Sequence, residues 1–215
     1  MTIYLLSGLG ADSRAFKYLG FPENALVIFL PWLDPEKGET LADYANRMAG
    51  CIDKSQPFIL IGLSFGGILA SEVVRFVSPK KLILISTVCN PKELPFYYRL
   101  AGKLRLNRLI APKAVNKGNL LTYWLFGIKK DEEKKLLDEI LTSTNTNFSK
   151  WAVDQVLNWK GENNWPSPVR IHGSKDRVLP LTNFTPDYLI EDGGHFMVVN
   201  RANEISEIIN KELGF

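Results

Sequence analysis

The run Ile59-Leu60-Ile61-Gly62-Leu63-Ser64-Phe65-Gly66-Gly67 constrains this chain more than any other stretch. An apolar, strand-like segment ends in Gly-x-Ser-x-Gly, and a helix-like segment leaves from the serine's far side. A serine on so sharp a strand-to-helix turn occupies a strained backbone conformation. The flanking glycines let neighbouring segments pack close to it. The strand before and the helix after separate this pattern from a glycine-rich turn that merely tightens packing. Ser64 is therefore a candidate nucleophile.

Short apolar runs and longer amphipathic stretches alternate on either side of it. Thr2–Leu6, Ala25–Leu30, Phe58–Gly62, Leu82–Ser86, Val169–His172 and Tyr188–Ile190 read as six strands. Most are continuous apolar runs, the pattern of a parallel sheet covered on both faces. Leu41–Ile52, Phe65–Val77 and Ala202–Leu213 carry apolar residues at helical spacing. The fold class expected is α/β, with a doubly wound, mostly parallel six-stranded sheet flanked by helices. Between Cys89 and about residue 147 the alternation stops. Leu94–Leu109, Asn119–Phe126 and Asp131–Leu141 read as helices with no strand between them, and Ser149–Trp159 as a further helix. This predicts a helical lid inserted after the fourth strand. The core then comprises 1–88 and 148–215, and the lid 89–147.

A serine hydroxyl attacks a carbonyl only when a base takes its proton. The chain has two histidines. His195 follows Gly193-Gly194 on a loop between the last strand and the last helix, at the edge where sites form in α/β sheets. His172 ends a strand and reads as a polar residue satisfied by hydrogen bonds, so His195 is the expected base. Its orienting acid is expected at Asp176, four residues beyond His172, with Asp187, Glu191 and Asp192 as competitors. The stretch after the fourth strand, Ser86-Thr87-Val88-Cys89-Asn90, holds no acid. Donors for a developing oxyanion are expected from the backbone amides of Phe65 and of Leu9, in the Ser7-Gly8-Leu9-Gly10 loop.

These segments, in the order Ser, Asp, His, resemble the α/β-hydrolase superfamily, and within it small carboxylesterases such as the pimeloyl-carrier-protein methyl esterases. Ser7–Gly10 with Phe16 downstream is similar to the family's His-Gly-x-Gly loop, with Ser7 where histidine is common. Gly62–Gly66 resembles its nucleophile turn, Gly173–Pro180 its Gly-x-x-Asp loop, and Gly194-His195 its histidine loop. The chain starts at what corresponds to the family's third strand, which implies a reduced, all-parallel sheet. The resemblance implies catalysis by Ser64, Asp176 and His195 through an acyl-enzyme. Ester hydrolysis is the leading activity, and hydrolysis of acyl-carrier-protein or coenzyme A thioesters the next. Serine at the turn is unlike the aspartate of the superfamily's dehalogenases and epoxide hydrolases. A non-catalytic ligand-binding member is the alternative from another class.

Composition narrows the partners. Of the 215 residues 46% are hydrophobic and 23% charged, suited to one globular domain, and a net charge of +3 is too small to argue for nucleic acid. No apolar stretch is long enough to span a bilayer, and Met1–Leu6 resembles no leader, so a cytoplasmic protein is expected. Cys51 and Cys89 read as reduced thiols, and neither metal-ligand spacing nor a dinucleotide fingerprint appears, so no cofactor is expected. From Cys89 to Lys150 twelve Lys or Arg face six acids, so the rest of the chain is net negative. With Phe96, Tyr123, Trp124 and Phe196 as candidate pocket residues, the lid is expected to hold an apolar acyl group. Its basic outer face suits an acidic acyl carrier protein.

Overall fold

The computed structural model describes residues 1–104, 118–161 and 167–215. Among the described residues six strands form one sheet: β1 (Thr2–Leu6), β2 (Leu26–Phe29), β3 (Phe58–Leu63), β4 (Lys81–Ile85), β5 (Val169–Gly173) and β6 (Tyr188–Ile190). Their spatial order is β2-β1-β3-β4-β5-β6, and every neighbouring pair is parallel.

Strand residues alternate between the two faces, so a continuous apolar run feeds two cores. Tyr4, Leu6, Leu60, Leu82 and Leu84 join one apolar cluster, with α1 (Leu41–Ala49) and α2 (Phe65–Val73). Ile3, Leu5, Ile59, Ile61, Ile83, Ile85 and Ile171 join the other, with α7 (Met197–Asn200) and α8 (Ala202–Leu213). Central β3 is buried along its whole length, whereas Leu26 and Val27 on edge strand β2 are exposed.

Local chemistry sets the helix ends. Thr40 and Asp43 form a reciprocal cap on α1, and α1 stops at Gly50, short of the expected Ile52. Helix α2 ends at Val73 rather than Val77. Between β4 and β5 lie α3 (Phe96–Lys103), α4 (Leu120–Phe126), α5 (Asp131–Ser143) and α6 (Thr146–Leu157), with no strand among the described residues. The expected helix Leu94–Leu109 starts after Pro95, and its last residues, 105–109, lie outside the described residues. Asn145 accepts from the Asn147 and Phe148 amides, so α6 begins three residues before the expected Ser149. Gly127 closes α4 in the left-handed conformation, at φ 72°. Among the described residues no helix is long and apolar enough to cross a membrane.

Candidate active site

Ser64 stands between β3 and α2 with φ 52° and ψ −122°. A non-glycine residue held there costs about 1–3 kcal/mol, so its surroundings must impose the conformation. They do so through the backbone. The Ser64 amide donates to the Ile85 carbonyl at 3.0 Å, and its own carbonyl accepts from Gly67 N–H at 2.9 Å and Thr87 Oγ1 at 2.6 Å. Gly66 is indispensable to the turn: a Cβ on it would lie 2.2 Å from the Ser7 carbonyl oxygen. The turn is thereby wedged against the β1 loop, which carries Leu9.

Ser64 Oγ lies 2.8 Å from His195 Nε2, and His195 Nδ1 lies 2.8 Å from Asp176 Oδ2. The other Asp176 oxygen accepts the Val178 and Leu179 amides at 2.9 and 2.8 Å. Both carboxylate oxygens are thus fixed, in a residue only 5% exposed. Burial alone would raise the Asp176 pKa. The charge and hydrogen bond of His195, His172 nearby and the Leu179 amide together hold it below the ordinary carboxylate value. The competing acids are engaged or exposed. Asp187 accepts the Arg170 amide at 2.8 Å, Asp192 pairs with Lys175 at 2.5 Å, and Glu191 faces solvent.

His172 is satisfied by the Leu179 carbonyl at 2.8 Å, as a strand-end polar residue should be. Its Nε2 also sits 3.4 Å from Asp176 Oδ2, a contact that chain position alone does not reveal. Thr87 is another supporting residue the motifs do not show, since nothing in Ser86-Thr87-Val88 marks its hydroxyl as a brace for the turn.

A cavity of about 340 Å³ opens beside Ser64 and His195. Leu125, Phe126, Leu137, Ile140 and Val156 from the helices between β4 and β5 contribute to its wall, with Leu63, Ile68 and Leu179 from the sheet side. Leu9 and Phe65 line it too. Phe65 is the first residue of α2, so its amide has no intrahelical acceptor. Among the described residues no backbone acceptor outside the regular elements takes the Leu9 amide.

Of the four aromatics expected in the pocket, Phe196 lines the cavity, while Phe96, Tyr123 and Trp124 stand outside its lining. Phe96 is 71% and Trp124 56% exposed, because α3 and α4 turn those faces to solvent. Tyr123 points the other way and donates to Asp138. Phe126, two positions beyond Trp124, lines the cavity instead and meets the His195 ring edge-on at 5.1 Å. Among the described residues no group of three or more His, Cys, Asp or Glu is placed to hold a metal ion.

Solved structures resemble this one over nearly its whole length. An esterase from Exiguobacterium antarcticum superposes with a TM-score of 0.67 at 14% identity, covering 100% of this chain and 92% of that one. This chain has the α/β-hydrolase fold. MenH from S. aureus matches with a TM-score of 0.68 at 17% identity, over 97% of this chain and 91% of that one. A thermophilic esterase from Thermogutta terrifontis matches with a TM-score of 0.64 at 18% identity, over 99% and 89%. By sequence, no family model and no curated protein matches the chain. Within this hydrolase fold Ser64 follows the central strand β3, and Asp176 and His195 follow β5 and β6 at the same sheet edge.

Proposed function

We propose that this protein is a serine hydrolase that cleaves carboxylic esters of apolar acyl groups through an acyl-enzyme. One observation carries the reading: the hydrogen-bonded chain from Ser64 through His195 to Asp176 opens on an apolar cavity. Ser64 Oγ attacks the ester carbonyl while His195 Nε2 takes its proton. The oxyanion is held by the Leu9 and Phe65 amides. His195 returns the proton to the departing alkoxide, leaving the acyl group on Ser64. A water, deprotonated by His195, then attacks that ester, and the carboxylic acid leaves as Ser64 regains its proton. Asp176 stays ionised throughout and holds the Nδ1–H tautomer of His195.

Residues 89–147 act as a lid in this reading, over a core of 1–88 and 148–215. The cavity's polar side chains are few, so acyl groups bind by burial, and specificity is for chain length rather than for charge. A carrier-borne acyl thioester is the second reading. The exposed Lys92, Arg99, Lys103, Lys129, Lys130 and Lys135 around the lid suit an acidic partner such as an acyl carrier protein. Of the lid's basic residues, Arg105, Arg108, Lys113 and Lys117 lie outside the described residues.

The test is turnover of p-nitrophenyl esters from acetate to decanoate by the wild-type chain and by Ser64→Ala. A fall of about 10³-fold or more in kcat with an unchanged fold supports the reading. Wild-type turnover that Ser64→Ala leaves intact, or none on any ester, overturns it.

A further inference from the structure

A second concavity, of about 270 Å³, lies on the reverse side of the His195 loop, lined by Gly127, Lys129, Lys175, Arg177, Asp192, Gly194 and Arg201. Its wall against the apolar cavity is thin. Gly127 and Gly194 line the cleft, while their neighbours Phe126 and His195 line the cavity, and Phe196 N–H bonds the Phe126 carbonyl at 3.0 Å. The two glycines are in backbone contact: a Cβ on either would lie 2.9 Å from the other's Cα. The floor is therefore bare backbone, open to close approach by a ligand.

Four cations converge on this floor and one carboxylate answers them. Asp192 pairs with Lys175 at 2.5 Å. Its carboxyl is held below the ordinary range by Lys175 first, then by Arg201 and Lys129. Arg177 lies over the Trp124 ring, its charge centre 4.6 Å from the centroid, and gives one N–H to the Trp124 carbonyl at 2.8 Å, with its other donors unassigned. Among the described residues neither Lys129 nor Arg201 has an ion pair. Some other surface cations do pair, as Arg14 does with Asp12, Arg47 with Glu39 and Lys81 with Glu212. What sets this place apart is convergence: among the described residues Lys129, Arg177 and Arg201 line one cleft and none has an ion pair.

We propose that this cleft is a binding site for a multivalent oxyanion, phosphate or a phosphate monoester. A dianion matches the unmatched charge, and Arg and Lys are its usual partners: a planar fork from Arg201 and Arg177, point charges from Lys129 and Lys175. The cations come from three segments, the one after α4, the Asp176 loop and the start of α8. A bound phosphate would clamp the helices covering the cavity to the two loops that carry Asp176 and His195. The site stands apart from Ser64 chemistry and does not depend on the esterase reading.

The test is isothermal titration of the full chain with inorganic phosphate and with pyrophosphate at low salt. The same titration is run on the double variant Lys129→Ala/Arg201→Ala and on Asp192→Asn. Both side chains of the double variant are exposed, so its fold, checked by circular dichroism, should be retained. Saturable one-to-one binding is expected, weakened about tenfold or more in the double variant, tightened in Asp192→Asn, and falling steeply with added NaCl. No saturable binding to the wild-type chain, or binding that the double variant leaves unchanged, overturns the proposal. Two substrates then distinguish the sources of the phosphate. If it is borne by a substrate, the double variant raises KM for an acyl-coenzyme A but not for the matching phosphate-free acyl-N-acetylcysteamine. If it is a free ligand, inorganic phosphate alters turnover of both thioesters alike in the wild-type chain. Either pattern upholds an anion site here.

Discussion

His172 and His195, the chain's two histidines, approach the same oxygen, at 3.4 and 2.8 Å from Asp176 Oδ2. Only His195 continues to Ser64. His172 gives its Nε2 proton to the Leu179 carbonyl at 2.8 Å, and the same ring edge rests against the carboxylate's flank. The acid of the site is thus braced from two sides, and its support reaches back to the end of β5.

That brace has a pH signature. Burial lowers the His172 pKa below 6.5, against the opposing pull of Asp176. The unfolded chain therefore binds a proton near pH 6.5 that the folded chain refuses, and stability falls as pH drops through that window. Asp176 acts at lower pH. Its depressed pKa contributes stability that is present above about 3.9, the unfolded value, and is lost as pH falls toward the folded one. Urea unfolding at pH 7.5 and pH 5.5 checks the first window. The wild-type chain should lose stability at up to about 1.4 kcal/mol per pH unit, and His172→Gln measurably less. Identical pH dependence in both proteins would show that His172 is not the group responsible.

Gly66→Ala tests the turn. Its Cβ would meet the Leu6 and Ser7 carbonyl oxygens at 2.3 and 2.2 Å, and these are backbone atoms of a buried strand end that cannot step aside. The expected loss is about 3 kcal/mol or more, or outright failure to fold. Gly38→Ala serves as the comparison. Nothing lies within 4 Å of its Cβ, though its φ is +78°, so only backbone strain of about 1 kcal/mol is expected. Thermal melts of the two variants should differ accordingly.

For the proposed esterase, the apolar cavity makes chain length the variable to which turnover should respond. Each methylene that fits contributes about 0.8 kcal/mol, so kcat/KM should rise up to about fourfold per methylene until the cavity is full. Ile140, 3% exposed, forms part of the wall, and a larger side chain there takes up cavity volume. Ile140→Phe should move the optimum to shorter esters while acetate turnover changes little. An optimum that stays in place would put the acyl group elsewhere.

The two thiols should behave differently. Burial pushes Cys89 up to about 11, with Glu93 adding to the effect against the pull of Arg170, while Cys51 is exposed. Iodoacetamide at pH 7.5 should label Cys51 and spare Cys89 in the folded protein, as read by peptide mass spectrometry. Equal labelling would mean that the Cys89 pocket opens.

Much of this site is legible in the chain because its signals are local. Strand, Gly-x-Ser-x-Gly and helix are contiguous at 58–73, and Asp176 and His195 each follow a short apolar run. The sheet is legible for the same reason, since buried parallel strands are continuous apolar runs. The pocket wall is not. Trp124 and Phe126 differ by two positions on one short helix, and only packing against the His195 loop decides which ring turns inward. The His172–Asp176 contact depends on how the chain turns just after β5, and the Thr87 brace on proximity between the segments that follow β3 and β4. Cleft residues 127, 129, 175, 177, 194 and 201 are likewise scattered in sequence and adjacent only in the fold.

The most direct measurement is reaction of the purified chain with a fluorophosphonate, with the adduct located by peptide mass spectrometry. Stoichiometric modification at Ser64, abolished in Ser64→Ala and slowed by about 10³-fold or more in His195→Ala, is the expected result. A folded wild-type chain that stays unmodified by probes small enough for the cavity, or that is modified elsewhere, would contradict Ser64 as an activated nucleophile.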